Sequence, residues 1–85
     1  MMENKVIIEL NVPDIEEVYN LFIPINRRIG NIVILINKAI NEITNGEYYI
    51  DNKRSLYNKL NGRKYLVNDL VRDTDIRNGS KLVLL

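Results

Sequence analysis

The 85-residue sequence predicts an α+β fold in which a mixed sheet of four to five strands packs on one helix. Three observations carry this. Only the stretch from Ile29 to Thr44 repeats its apolar residues at helical steps of three and four, whereas the segments around it alternate in steps of two. The alternating segments are separated by turn-forming pairs, Pro13-Asp14, Asn61-Gly62 and Asn78-Gly79. With 46% hydrophobic residues, the whole of 1–85 reads as one domain, able to bury roughly 60% of its unfolded surface and without room for a second core.

The first strand, Lys5 to Val12, sets Val6, Ile8, Leu10 and Val12 on one face and Ile7, Glu9 and Asn11 on the other. Pro13-Asp14 then turns the chain, because proline fixes φ and aspartate bonds its own backbone. The second strand, from about Val18 to Ile25, places Tyr19, Leu21, Ile23 and Ile25 opposite Asn20, Phe22 and Pro24. Pro24 lacks an N–H, so this strand belongs at a sheet edge.

The helix spans 29–44, with Ile29, Ile32, Val33, Ile36, Ile40 and Ile43 on its apolar side and Ala39 flanking them. Asn26 or Arg28 must cap it, and Asn26 is the better chemistry. Gly30 is a mild weakness in the first turn, and Gly46 suits the left-handed position past the end. An irregular connection over 47–54 follows, pinned by Tyr48, Tyr49 or Ile50. Ser55 to Lys59 is a short strand with Leu56 inward and Tyr57 outward, and after Asn61-Gly62 the residues Lys64 to Leu66 return as another. Leu70 and Val71 plug the end of the core, and the last strand, Lys81 to Leu85, opposes Leu82 and Leu84 to Val83 and Leu85. One helix cannot cover a sheet from two sides, so one sheet face stays open.

Composition narrows the function. Twelve basic and eleven acidic residues leave a net charge of +1, which supplies no field for nucleic acid or an anionic membrane. The absence of Cys and His removes a thiolate nucleophile, an imidazole base, a Cys/His zinc site and disulfides. No catalytic residue, metal or cofactor is therefore expected. The longest apolar run, Ile32 to Ile36, is too short to span a bilayer, and a cytoplasmic protein is expected. The acidic cluster Asp69, Asp73 and Asp75 lacks calcium-loop spacing, and Asn78-Gly79-Ser80 reads as a turn rather than a glycosylation site. The pairs Arg27-Arg28, Lys53-Arg54 and Arg63-Lys64 read as solubilising charges.

The order strand, strand, helix, strand, short strand, strand is the β-grasp order. Over nearly its whole length the chain resembles ubiquitin-like proteins, from the KVIIELNV hairpin to the closing DIRNGSKLVLL. IPINRRIGNIVILINKAINEIT, LYNKLNGR and IRNGSKLVLL are similar to the YukD or EsaB group, small ubiquitin-like proteins encoded with bacterial type VII (WXG100) secretion systems. The resemblance implies a cytoplasmic, non-catalytic accessory protein. It would act by binding secretion-machinery components such as an FtsK-type ATPase or a membrane subunit, without nucleic acid or membrane insertion. Two alternatives stay open: a ubiquitin-like domain of a larger membrane-associated subunit, and a truncated sulfur carrier or modifier. Conjugated relatives continue into a Gly-Gly tail where this sequence ends at Leu84-Leu85, so covalent transfer is not expected. Oligomeric state is left open.

On the same resemblance, Tyr57, Val83 and Leu85 take the outward positions of ubiquitin's recognition patch, with Ile7 beside them. Phe22, Ile34 and Leu35 form a secondary candidate surface; partial cover by 47–54 would account for the last two without a partner.

Overall fold

The computed structural model describes residues 4–85. Strands β1 (Lys5–Val12) and β2 (Glu17–Pro24) form a hairpin, α1 (Ile29–Ile43) crosses over, and β3 (Leu56–Asn58) and β4 (Ser80–Leu84) complete a sheet of order β2-β1-β4-β3. The central pair β1 and β4 is parallel, whereas both outer pairs are antiparallel. The sheet is mixed, with β2 at one edge as Pro24 requires. Four strands form. The expected return strand over 64–66 is reduced to a single bridge between Tyr57 and Lys64 and one bond from the Tyr65 N–H to the Leu56 carbonyl, 2.9 Å.

The chain leaves the sheet there because its next residues cap the helix. The Ile29 and Gly30 N–H groups donate to the Asp69 and Val67 carbonyls, each at 2.9 Å. The cap residue is Arg28, not Asn26, and no side-chain bond caps the helix, since a distant loop already satisfies its first donors. Gly30 is likewise a point of close approach rather than a weakness: a Cβ on it would stand 3.3 Å from the Val67 carbonyl oxygen. Gly46 closes the other end at φ 85°, its N–H donating to the Asn41 carbonyl at 2.8 Å.

The inner side of α1 buries Ile29, Ile32, Val33, Ile36 and Ile40 against Ile8, Leu10 and Leu82 of the sheet. The stripe departs from expectation at Ile43 and Asn37, and the flanking Ala39 is exposed. Ile43 is 59% exposed, and Asn37 is buried instead. The cause is Tyr48, fully buried, whose hydroxyl donates to Asn37 Oδ1 while its N–H donates to Thr44 Oγ1 at 2.9 Å and its carbonyl accepts from Asn41 Nδ2 at 2.9 Å. The segment after the helix thus docks along Asn37, Asn41 and Thr44, and Ile43 on the opposite flank gains no cover. Val71 begins a 3₁₀ turn and is fully buried, plugging the far end of the core beside half-buried Leu70.

Candidate interaction surfaces

Because side chains alternate along a strand, the register decides which outward residues stand side by side on the open face. Val18, Asn11, Val83 and Tyr57 form one row across all four strands. Asn20, Glu9 and Lys81 form the next. Lys59 extends this polar row, its backbone N–H donating to the Lys81 carbonyl at 2.9 Å while Lys59 Nζ donates to Asn11 Oδ1 at 3.3 Å. Phe22 opposite Ile7 makes the third row.

Tyr57 and Val83 are therefore direct cross-strand neighbours, both half-buried. Leu85, 55% exposed, continues the same side of the chain, exchanging backbone bonds with Ser55 at 2.7 and 3.1 Å. Ile7 does not join them. The parallel register sets Asn11 opposite Val83, so Ile7 lies four residues, about 13 Å, further along β1. The charged Glu9 and Lys81 row lies between. Its neighbour is Phe22 instead.

The secondary residues also divide. Phe22 and Leu35 line one apolar groove of ≈ 170 Å³ between the free edge of β2 and α1, together with Pro24 and Ala39. Ile34 is 65% exposed on the other flank of the helix, between shallow concavities that it shares with Ile50 on one side and Val67 on the other. Cover by 47–54 does not bury either residue, because Tyr48 is the side chain that docks and Tyr49 and Ile50 stay exposed. Val18, Leu60, Leu66 and Val67 are also exposed and lie outside the candidate surfaces expected from the sequence. Val18 has a sequence signal: it shares its parity along β2 with Phe22. The adjacent pair Leu66-Val67 in a polar stretch is another.

Two polar clusters hold these surfaces in place. Arg54 pairs with Asp14 at 2.9 Å and lies 4.8 Å over the Tyr48 ring, so it ties the β1–β2 turn to the docked segment rather than acting as a free surface charge. Burial pushes the Tyr48 hydroxyl above its usual range. The Tyr65 hydroxyl donates to Asp75 Oδ1 at 2.7 Å, and burial, followed by that bond and the carboxylate's charge, pushes its pKa up to about 12. Asp75 also accepts from Asn58 Nδ2 at 3.4 Å, which makes it a structural acceptor of the loop. Among the described residues, no group of three His, Cys, Asp or Glu side chains is placed to hold a metal ion, and no helix is long and apolar enough to cross a membrane.

Comparison with known proteins adds the fold's relatives. No protein-family model matches the sequence. No curated protein matches it either. Solved structures do match. The ubiquitin-like domain of the Mycobacterium tuberculosis type VII secretion system protein ECCD1 superposes with a TM-score of 0.73 at 10% identity, over 95% of this chain and 97% of that one. The fold is the ubiquitin-like β-grasp. The EccD5 ubiquitin-like domain from Mycobacterium xenopi gives 0.76 at 14% identity, over 95% and 92% of the two chains. A chain of the MycP5-free ESX-5 inner membrane complex gives 0.79 at 12% identity over 96% of this chain, which spans only 21% of that one. The same ubiquitin-like fold occurs outside secretion, in a structure of molecular mimicry of SUMO in DNA repair, at 0.71 and 15% identity over 100% and 95% of the chains.

Proposed function

We propose that this chain is a non-catalytic, cytoplasmic ubiquitin-like interaction module of a bacterial type VII secretion apparatus, of the YukD or EsaB kind. It would bind a protein component of that apparatus through the Tyr57, Val83 and Leu85 side of its open sheet face. The observation that carries the binding surface is the row in which Val83 stands between Tyr57 and Asn11 on a sheet face that no helix covers. Removal of such apolar groups from water supplies association energy of about 25 cal/mol per Å². The apparatus is supported by the type VII relatives of the fold together with the resemblance of LYNKLNGR and IRNGSKLVLL. Partner chemistry follows from the face: an apolar surface with an acidic group on its rim, to meet Lys59 and Lys81 in the adjacent row.

A second reading, a domain of a larger membrane-associated subunit, is favoured by the ESX-5 chain, in which the matching region is about a fifth of the whole. Affinity capture from the native host tests both. The wild-type chain should retain an FtsK-type ATPase or membrane subunit of the apparatus, and Tyr57→Ser with Val83→Asp should lose it while staying folded. Equal recovery by the folded double variant rules the surface out. Detection of these residues only within a longer polypeptide that carries membrane spans decides for the second reading.

A further inference from the structure

The free edge of β2 has chemistry that the open-face reading does not use. The Ile25 N–H donates to the Asn4 carbonyl at 2.9 Å, and residues four and twenty-five continue the β1–β2 register. Antiparallel pairs alternate between bonded and non-bonded, so Tyr19, Leu21 and Ile23 bond to β1. Val18, Asn20, Phe22 and Pro24 aim their backbone groups away from it. Pro24 fits this parity, because the N–H it lacks would face outward. The stretch Val18-Tyr19-Asn20-Leu21-Phe22, with Val18, Asn20 and Phe22 exposed and Tyr19 and Leu21 half-buried, contains no charge and no proline, the devices by which edge strands are normally blunted. Beside it runs the apolar groove lined by Leu35 and Ala39.

We propose that this edge pairs with a second copy of the chain, β2 antiparallel to β2 about a twofold axis through Asn20, to give one continuous eight-stranded sheet. This register follows from the donors. It pairs Asn20 with Asn20, and Val18 of each copy with Phe22 of the other, so every outward N–H and C=O from Val18 to Phe22 finds a partner. Shifting it by two residues sets Val18 against Pro24, which has no proton to give. The same register stacks Val18 on Phe22 twice on the open face, covering two side chains each 54% exposed. On the helix side, Tyr19 and Leu21 of the added strand face the Leu35 flank of the groove.

Charge selects a second copy over an unrelated strand. Exposed Glu16 and Glu17 stand just before and at the start of β2, and exposed Arg27 follows its end. An antiparallel twofold brings the acidic end of each copy to the basic end of the other, and a net charge of +1 leaves little overall repulsion.

The inference is independent of the secretion reading, and sedimentation velocity combined with amide hydrogen exchange on the 85-residue chain tests it. The dimer fraction should grow with concentration between about 1 μM and about 1 mM. The Val18, Asn20 and Phe22 amides should gain protection in step with it, whereas Tyr19, Leu21 and Ile23 are protected throughout. Asn20→Pro removes the central donors without touching a bond to β1 and should weaken the dimer about tenfold or more. Phe22→Lys, which leaves the backbone intact, should do the same. A chain that stays monomeric across this range, a dimer that forms without protecting the even-numbered amides, or an equally tight dimer in folded Phe22→Lys overturns the proposal. Protection of those amides only on mixing with a different protein also overturns it.

Discussion

Tyr48→Phe isolates the interaction that docks the segment following α1. The ring is fully buried and stays in place in the variant, so no cavity opens and the hydrophobic contribution is kept. What is lost is the hydroxyl that donates to Asn37 Oδ1, leaving a side-chain acceptor inside the core of a residue only 3% exposed. An unsatisfied buried acceptor costs about 1–3 kcal/mol. For a chain of this size that corresponds to a fall in the thermal midpoint of roughly 10 °C, at about 4–8 °C per kcal/mol. Asn37→Leu alone strands the Tyr48 hydroxyl and should cost a similar amount. The double variant removes both polar atoms and should lose much less stability than the sum of the two single losses, because an apolar pair of similar shape needs no partner. Urea and thermal unfolding of all four proteins give the cycle. A Tyr48→Phe variant within about 0.5 kcal/mol of wild type, or two losses that simply add, refutes the reasoning.

In the first helical turn, Gly30→Ala should fail to deliver the gain of about 1 kcal/mol that helix propensity offers, because the new Cβ meets the Val67 carbonyl oxygen at 3.3 Å. A thermal midpoint raised by roughly 4 °C or more contradicts the close approach. At alkaline pH, Tyr65 is held neutral with a pKa of about 12 against an ordinary 10.0. Its folded-state pKa is the higher one, so its contribution is intact below pH 10 and is lost as pH rises toward 12. Tyr48 acts in the same direction. Stability followed by urea titration should fall across that window, and Tyr65→Phe should flatten the fall; an unchanged slope contradicts the Tyr65–Asp75 assignment.

Local pattern carried the elements and missed what long-range contacts decide. The alternation in Lys5 to Val12, the edge signal of Pro24 and the stop at Gly46 were all legible, because each depends on a residue's own backbone chemistry. Ile29, Ile32, Ile36 and Ile40 were legible as an inner stripe from their spacing of three and four along the chain. The helix cap was not: its acceptors, Val67 and Asp69, lie almost forty residues downstream, and no local rule points to them. Ile43 and Asn37 exchanged their expected roles because Tyr48 arrives from outside the helix. On the open face, alternation correctly set Ile7, Tyr57 and Val83 outward, yet it contains no information on how far β4 slides along β1. That offset separates Ile7 from Val83 by a charged row and joins it to Phe22.

The most direct measurement of the functional claim is photo-crosslinking in the native host, with a photoreactive side chain placed in turn at positions 83 and 34. Position 83 is half-buried in the Val18, Asn11, Val83 and Tyr57 row of the open face, whereas position 34, on the helix, is 65% exposed and so the more accessible of the two. A covalent adduct to a type VII secretion component from position 83, with none from position 34, is the predicted result. No adduct from position 83, or the same adduct from both positions, contradicts an interaction through the open sheet face.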